Sequence, residues 1–174
     1  MEAAKPVVRS HHTIAVFVEN RPGVLMRVAG LFSRRGYNIE SLAVGPTEQP
    51  EYSRMTIVVS LESKSVDQVI RQVHKLVPVV EVRELTPEER VDRELILIKV
   101  SAPANKRGEI RELAEIFRAR IVDVSSDALI IEATGTPDKL DGLEANLRPY
   151  GIQELCRTGR ISLERGAKRL PPNP

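Results

Sequence analysis

The stretch VFVENRPGVLMRVAGLFSRRGYNIES, residues 16–41, decides how this chain is read. Thr13 to Glu19 is rich in β-branched and aromatic residues, and neither Gly nor Pro interrupts it, which predicts a strand. The chain then turns. Asn20 is placed to cap a helix, Pro22 suits a first helical turn because it has no N–H to leave unpaired, and Gly23 removes a Cβ from the entrance. The helix predicted over 22–35 puts Val24, Leu25, Val28, Leu31 and Phe32 on one stripe and leaves Arg27, Arg34 and Arg35 to water. Gly36 ends it. Tyr37 to Val44 resumes an extended run carrying Asn38, whose amide both donates and accepts hydrogen bonds. Free backbone N–H groups at such a helix mouth, with the helix dipole behind them, suit a carboxylate or phosphate.

Outward from this stretch the same order of elements occurs twice. The first unit reads strand (12–19), helix (22–35), strand (37–47), strand (52–60), helix (65–76), strand (79–84). Ser65 is a candidate cap for its second helix, and Val66, Val69, Ile70 and Val73 form that helix's apolar stripe. After the charged segment Thr86-Pro87-Glu88-Glu89-Arg90, the second unit reads strand (93–101), helix (105–118), strands (120–125 and 128–134), helix (137–147) and strand (151–157). In it Ile110, Leu113, Ala114 and Phe117 share one helix face, and Glu109, Glu112 and Glu115 are its solvated side. The expected class is α+β, two ferredoxin-like βαββαβ domains. The expected divisions are a flexible N-terminus over 1–11, a first domain over 12–85, a linker over 86–91, a second domain over 92–158, and a solvated basic, Pro-rich tail over 159–174.

The helix-mouth motif is not repeated, because Pro103-Ala104-Asn105-Lys106-Arg107-Gly108 follows the first strand of the second unit. The ligand site is therefore expected in the first unit only. Several strands are apolar on both faces: Ile14, Val16 and Val18 oppose Ala15 and Phe17, while Leu95 and Leu97 oppose Ile96, Ile98 and Val100. A sheet with helices on one face needs only one apolar side, so the surplus predicts cover by another subunit.

Composition narrows the classes. With 26 basic and 24 acidic residues the net charge is +2, a balance unlike a nucleic-acid footprint, and 3% aromatics without Trp leaves few stacking platforms for bases. The single cysteine, Cys156, forms no intrachain disulfide and reads as a small apolar filler in a strand. No apolar run approaches membrane-span length and the first ten residues lack a hydrophobic signal core, which predicts a cytoplasmic protein with no membrane partner. There is no glycine-rich dinucleotide motif or P-loop, and His11, His12 and His74 have no metal or nucleophile spacing. His11 and His12 read as solvated. No catalytic residue and no metal ligand is expected.

Asn20-Arg21-Pro22-Gly23-Val24-Leu25, the amphipathic helix after it, and Arg34-Arg35-Gly36-Tyr37-Asn38-Ile39-Glu40-Ser41-Leu42 resemble the ACT amino-acid-sensing domain of the regulatory (small) subunit of acetolactate synthase. The likeness continues through Ser53-Arg54-Met55-Thr56, His74-Lys75-Leu76-Val77, Arg93 to Val100, Ile116-Phe117-Arg118-Ala119, Ile121-Val122-Asp123-Val124 and Ala133-Thr134-Gly135. It covers about 12–166, whereas a generic ACT likeness stops near residue 85. The resemblance implies a non-catalytic subunit that pairs through its ACT domains as a homodimer or higher homo-oligomer. It also implies that the chain activates a large catalytic subunit and confers feedback inhibition by valine in branched-chain amino-acid biosynthesis. Asn20, Gly23, Val24 and Leu25 of one chain, with Asn38 and Ile39 of the other, would bind the effector. No cofactor is expected in this chain; thiamine diphosphate, Mg²⁺ and FAD would sit on the partner. Arg21-Pro22 varies among such loops, so the choice among valine, leucine and isoleucine stays open. The alternative is a free-standing ACT-domain transcriptional regulator, which would need a DNA-binding element that the second unit does not resemble.

Overall fold

The computed structural model describes residues 9–62 and 66–170. They fall into two compact units, one of residues 1–91 with 160–174 and the other of residues 92–159. In the first unit, strands β1 (Arg9–Glu19), β2 (Ile39–Pro46), β3 (Tyr52–Glu62) and β4 (Val79–Glu84) and helices α1 (Val24–Arg34) and α2 (Val66–His74) follow one another as βαββαβ. The sheet order is β2-β3-β1-β4, antiparallel throughout, with Ile14 opposite Ile57 on one side and Glu84 on the other. Alternation along β1 sends Ile14, Val16 and Val18 to the helix-covered face, where they pack with Val24, Val28, Leu31 and Phe32 of α1 and Val66, Val69 and Val73 of α2. Helix α1 stops because Gly36 takes a left-handed backbone (φ 70°). There the Gly36 N–H reaches Ser33 O (3.0 Å) and the Tyr37 N–H reaches Phe32 O (3.0 Å), which satisfies the last carbonyls. Ser65, the expected cap of α2, lies outside the described residues.

The second unit repeats the pattern with β5 (Arg90–Ser101), α3 (Arg107–Ile116), β6 (Arg120–Val124), β7 (Ala128–Gly135), α4 (Pro137–Leu147) and β8 (Ile152–Arg157), in the order β6-β7-β5-β8. Ile96, Ile98 and Val100 pack against Ile110 and Ala114 of α3 and Leu140, Leu143 and Leu147 of α4. Pro137 opens α4 behind an extended Thr136, where its fixed φ fits and no N–H is lost. The α+β class with two ferredoxin-like units is as expected from the sequence.

Four expectations are corrected. Residues 9–11 are not a flexible end, because β1 begins at Arg9; residues 1–8 lie outside the described set. His12 is nearly buried rather than solvated: it makes hydrogen bonds to Ser10 Oγ through Nε2 (2.7 Å) and to Glu84 Oε1 through Nδ1 (2.6 Å), joining β1 to β4. His11 pairs with Glu40 (2.8 Å). Cys156 is exposed in β8, on the face with Leu97, Lys99, Ile130 and Glu154; it opposes Leu97 in register and fills no core space.

The largest correction concerns the tail. Arg160 to Leu170 returns to the first unit, with a short strand β9 at Ile161–Glu164. The Arg160 N–H donates to Ser41 Oγ (2.7 Å), Arg54 Nη2 to Ser162 O (3.0 Å), and the Arg165 N–H to Glu89 O (2.7 Å). Glu164 accepts from Arg83 (3.3 Å), and Lys168 pairs with Glu89 (3.0 Å). Leu170 is buried with Ala15, Phe17 and Leu85, and Tyr52 stacks on Phe17 at 4.9 Å. The second face of β1 is thus covered by the chain itself rather than by another subunit, which a solvated tail could not do. Pro171, Pro172 and Pro174 lie outside the described residues. Burial under this cover pulls the Arg54 guanidinium below its ordinary pKa, with Glu164 opposing and Arg83 reinforcing.

Candidate effector site

The turn from β1 into α1 is built by backbone rather than by a side-chain cap. Gly23 occupies the cap position with φ 83°, a left-handed conformation that favours glycine, and a Cβ there would meet nothing within 4 Å. Helix α1 therefore begins at Val24, two residues later than expected. Asn20 does not cap it. Its backbone N–H donates to Glu51 O (2.7 Å) and its side-chain Nδ2 to Pro50 O (2.9 Å), so Asn20 pins the loop before β3 beside the helix entrance. Arg21 leans on Glu19 (2.6 Å). The first turn of α1 carries no acidic side chain, and nothing of opposite charge from the helix itself offsets the positive end of its dipole.

Val24 is buried in the core and offers only its backbone to this mouth, whereas Leu25 is 43% exposed and Met26 78% exposed. The expected stripe is corrected accordingly: Val24, Val28, Leu31 and Phe32 face the core, and Leu25 faces out. Sequence reading passed over Met26. Its signal was position, since an apolar residue at 26 falls off the stripe set by Val24, Val28 and Leu31.

Asn38 is exposed just before β2, and Ile39, the first residue of β2, is half-buried against the core. The structure does not bring these two to Asn20 and Gly23 within one chain. They follow the C-terminal end of α1, while Gly23 sits at its N-terminal end, and 11 helical residues span about 16 Å at about 1.5 Å per residue. A ligand of amino-acid size touches one group or the other, so a site using both groups takes them from two copies.

The corresponding turn of the second unit is closed. Helix α3 starts after Lys106, whose Nζ holds Glu109 (2.9 Å) in the first turn. Arg107 folds back to donate to Ala102 O (3.0 Å) and to the carbonyls of Ser125 and Ser126. The ammonium of Lys106 and the hydroxyl of Tyr150 hold the Glu109 carboxyl below its ordinary pKa. This mouth already carries an anion of its own. Among the described residues no group of three or more His, Cys, Asp or Glu is placed to hold a metal, and no helix is long and apolar enough to cross a membrane.

Residues 14–81 match the family model "AHAS small subunit-like ACT domain", and residues 93–166 match "Small subunit of acetolactate synthase". The chain belongs to the acetolactate synthase small-subunit family. It is 60% identical over 158 residues to a probable acetolactate synthase small subunit of Archaeoglobus fulgidus, covering 91% of this chain and 99% of that one. It is 54% identical to the acetolactate synthase small subunit of Mycolicibacterium smegmatis, covering 91% and 94%. The crystal structure of the small subunit from Thermotoga maritima superposes with a TM-score of 0.84 at 42% identity, covering 90% of this chain and 98% of that one. The two family models meet the two units in order. A small subunit implies a large catalytic one, and this chain is a regulatory partner of that enzyme.

Proposed function

We propose that this small subunit raises the activity of the catalytic subunit of acetolactate synthase and confers feedback inhibition by valine in branched-chain amino-acid biosynthesis. The observation that carries the reading is the uncapped mouth of α1 at Gly23, with exposed Leu25 beside it. The α-carboxylate of the amino acid meets the backbone N–H groups of the turn. The Asn20 and Asn38 amides orient its polar end, and Leu25 with Ile39 contacts its branched side chain. Because the two groups sit at opposite ends of α1, the site is completed by a second copy, and the subunit works as a homodimer or a larger homo-oligomer. It acts in the cytoplasm without binding nucleic acid; thiamine diphosphate, Mg²⁺ and FAD belong to the catalytic partner. Valine controls the enzyme by preferring the less active assembly, for which about 1–3 kcal/mol of coupling suffices.

The test is reconstitution with the catalytic subunit and assay of acetolactate formation against valine. Asn20→Ala and Gly23→Asp are expected to remove valine inhibition while activation persists, since an aspartate at the helix mouth occupies and repels the carboxylate position. Loss of activation with inhibition retained would contradict the assignment.

A further inference from the structure

Glu40 is an extra residue in β2. The ladder pairs Ile39 with Val59 and Ser41 with Val58, so β2 advances two residues while β3 advances one, which makes a bulge at Glu40. The bulge decides where its neighbours point. In an unbroken strand Ile39 and Ser41 would share a face. Here Ile39 packs on the helix-covered core, whereas the Ser41 hydroxyl accepts from the Arg160 N–H of the returning segment. Strand β2 lies at the edge of its sheet, beside β3, so no second ladder holds the bulged residue in place.

A side chain holds it instead. Nε2 of His11 lies 2.8 Å from Oε2 of Glu40. His11 is on β1, opposite Ser60 of β3, so this contact reaches over β3 and joins the edge strand to the strand beyond it. With strands about 4.8 Å apart, the two side chains bridge about 10 Å of sheet. The Nε2–H donates to the carboxylate whether the ring is neutral or charged. His12, the next residue of β1, bridges to the other side, to Glu84 of β4, and so has no hold on β2. The bulge follows directly on Asn38 and Ile39, the residues that one copy is read as offering to the effector. We propose that His11 is a positioning residue of the effector site: by holding Glu40 it fixes the bulge, and the bulge sets the direction of Ile39 and of Asn38 before it. This inference rests on the effector reading given above and adds to it a residue that acts through Glu40 rather than on the ligand.

The test is valine inhibition of acetolactate formation by the catalytic subunit reconstituted with the full-length chain, for His11→Ala, Glu40→Ala and the double variant. The two side chains are 66% and 33% exposed, so the effect is modest. Each single change is expected to raise the half-inhibiting valine concentration about two- to fivefold, as for loss of one exposed pair, with activation at zero valine and the urea unfolding midpoint unchanged. The double variant is expected to be no worse than either single one, since the same contact is lost in all three. His11→Lys, whose ammonium reaches the same carboxylate, is expected to restore inhibition to within about twofold. His12→Ala is expected to lower the unfolding midpoint and leave the half-inhibiting concentration as it is. An unshifted valine response in both single variants, losses that add in the double variant, no recovery in His11→Lys, or an equal shift in His12→Ala overturns the proposal and leaves the effector reading standing. A fall in unfolding midpoint that accompanies the shift in His11→Ala overturns it as well, because the role would then be structural. If valine does not inhibit the enzyme reconstituted with the unaltered chain, the effector reading falls and the proposal with it.

Discussion

The two helix mouths of this molecule share a topology and differ in what fills them. At the turn from β1 into α1, Gly23 adopts a left-handed conformation, no side chain caps the helix and no acidic residue enters its first turn. At the turn from β5 into α3, Glu109 sits in the first turn against Lys106, and Arg107 is spent on three backbone carbonyls. The ferredoxin-like frame thus supplies an electropositive helix end in each unit, and local chemistry leaves the first open and fills the second. The back faces differ in the opposite sense. In the first unit Ala15 and Phe17 are closed over by Leu85, Leu170 and Tyr52, whereas in the second unit Leu97, Ile130 and Cys156 line an open hollow of about 180 Å³. The unit with the open mouth has the β1 back face closed, and the unit with the filled mouth has an open one.

This contrast can be broken first at the back face. Ending the chain after Glu84 removes Leu85 and the whole returning segment, and is expected to leave a first unit that does not fold stably, contrary to a reading of 12–85 as self-sufficient. Phe17→Ala, with the same face left partly empty, should cost about 3–5 kcal/mol, and Leu170→Ala about 2 kcal/mol, both read from urea unfolding midpoints. Leu97→Ala on the open hollow should cost under about 1 kcal/mol because little is buried there to lose. Equal losses at Leu170 and Leu97 would erase the distinction between the two backs.

The mouths are separated by a matched pair of changes. Gly23→Asp should abolish valine inhibition, and Asn105→Asp, at the corresponding turn, should leave it unchanged in the reconstituted enzyme. A smaller effect is expected at Leu25, where Leu25→Ala should change stability by less than about 0.5 kcal/mol at an exposed site yet weaken valine binding severalfold by calorimetry. The Cys156 thiol, exposed on the open back, should react with a thiol reagent in the native protein at a rate close to that of the unfolded chain. The smallest effect lies at Glu89, whose carboxyl is held below its ordinary pKa chiefly by its hydrogen bond from Lys168. A depressed carboxylate stabilises the fold above its unfolded pKa, and that stabilisation disappears as pH falls through the folded value. Lys168→Ala should therefore flatten the acid limb of the stability profile, read from urea unfolding midpoints across pH.

Both βαββαβ units were legible from the sequence because their apolar periods are strong: Val66, Val69 and Val73, or Leu140, Leu143 and Leu147, admit one face each. The turn and helix start around Gly23 were legible as a segment but not in their details. Asn20 has the chemistry of a cap, and only tertiary structure offers it the carbonyl of Pro50 instead. Leu25 fits a helix stripe by spacing alone, but it lies at the edge of the face set by Val24, Val28, Leu31 and Phe32 and is left 43% exposed. The tail was misread because Arg160, Arg165, Lys168 and Pro171 have the composition of a solvated end. The single Leu170 that anchors it, and the backbone bonds to Ser41 and Glu89, involve partners far away in sequence that no local pattern announces.

The most direct measurement of the central claim is a calorimetric titration of L-valine into the purified full-length chain, with L-alanine and D-valine as comparators and with Gly23→Asp and Asn105→Asp beside the unaltered protein. Selective saturable binding of L-valine that Gly23→Asp abolishes and Asn105→Asp preserves is the predicted result; valine binding that survives Gly23→Asp unchanged would contradict an effector site at the mouth of α1.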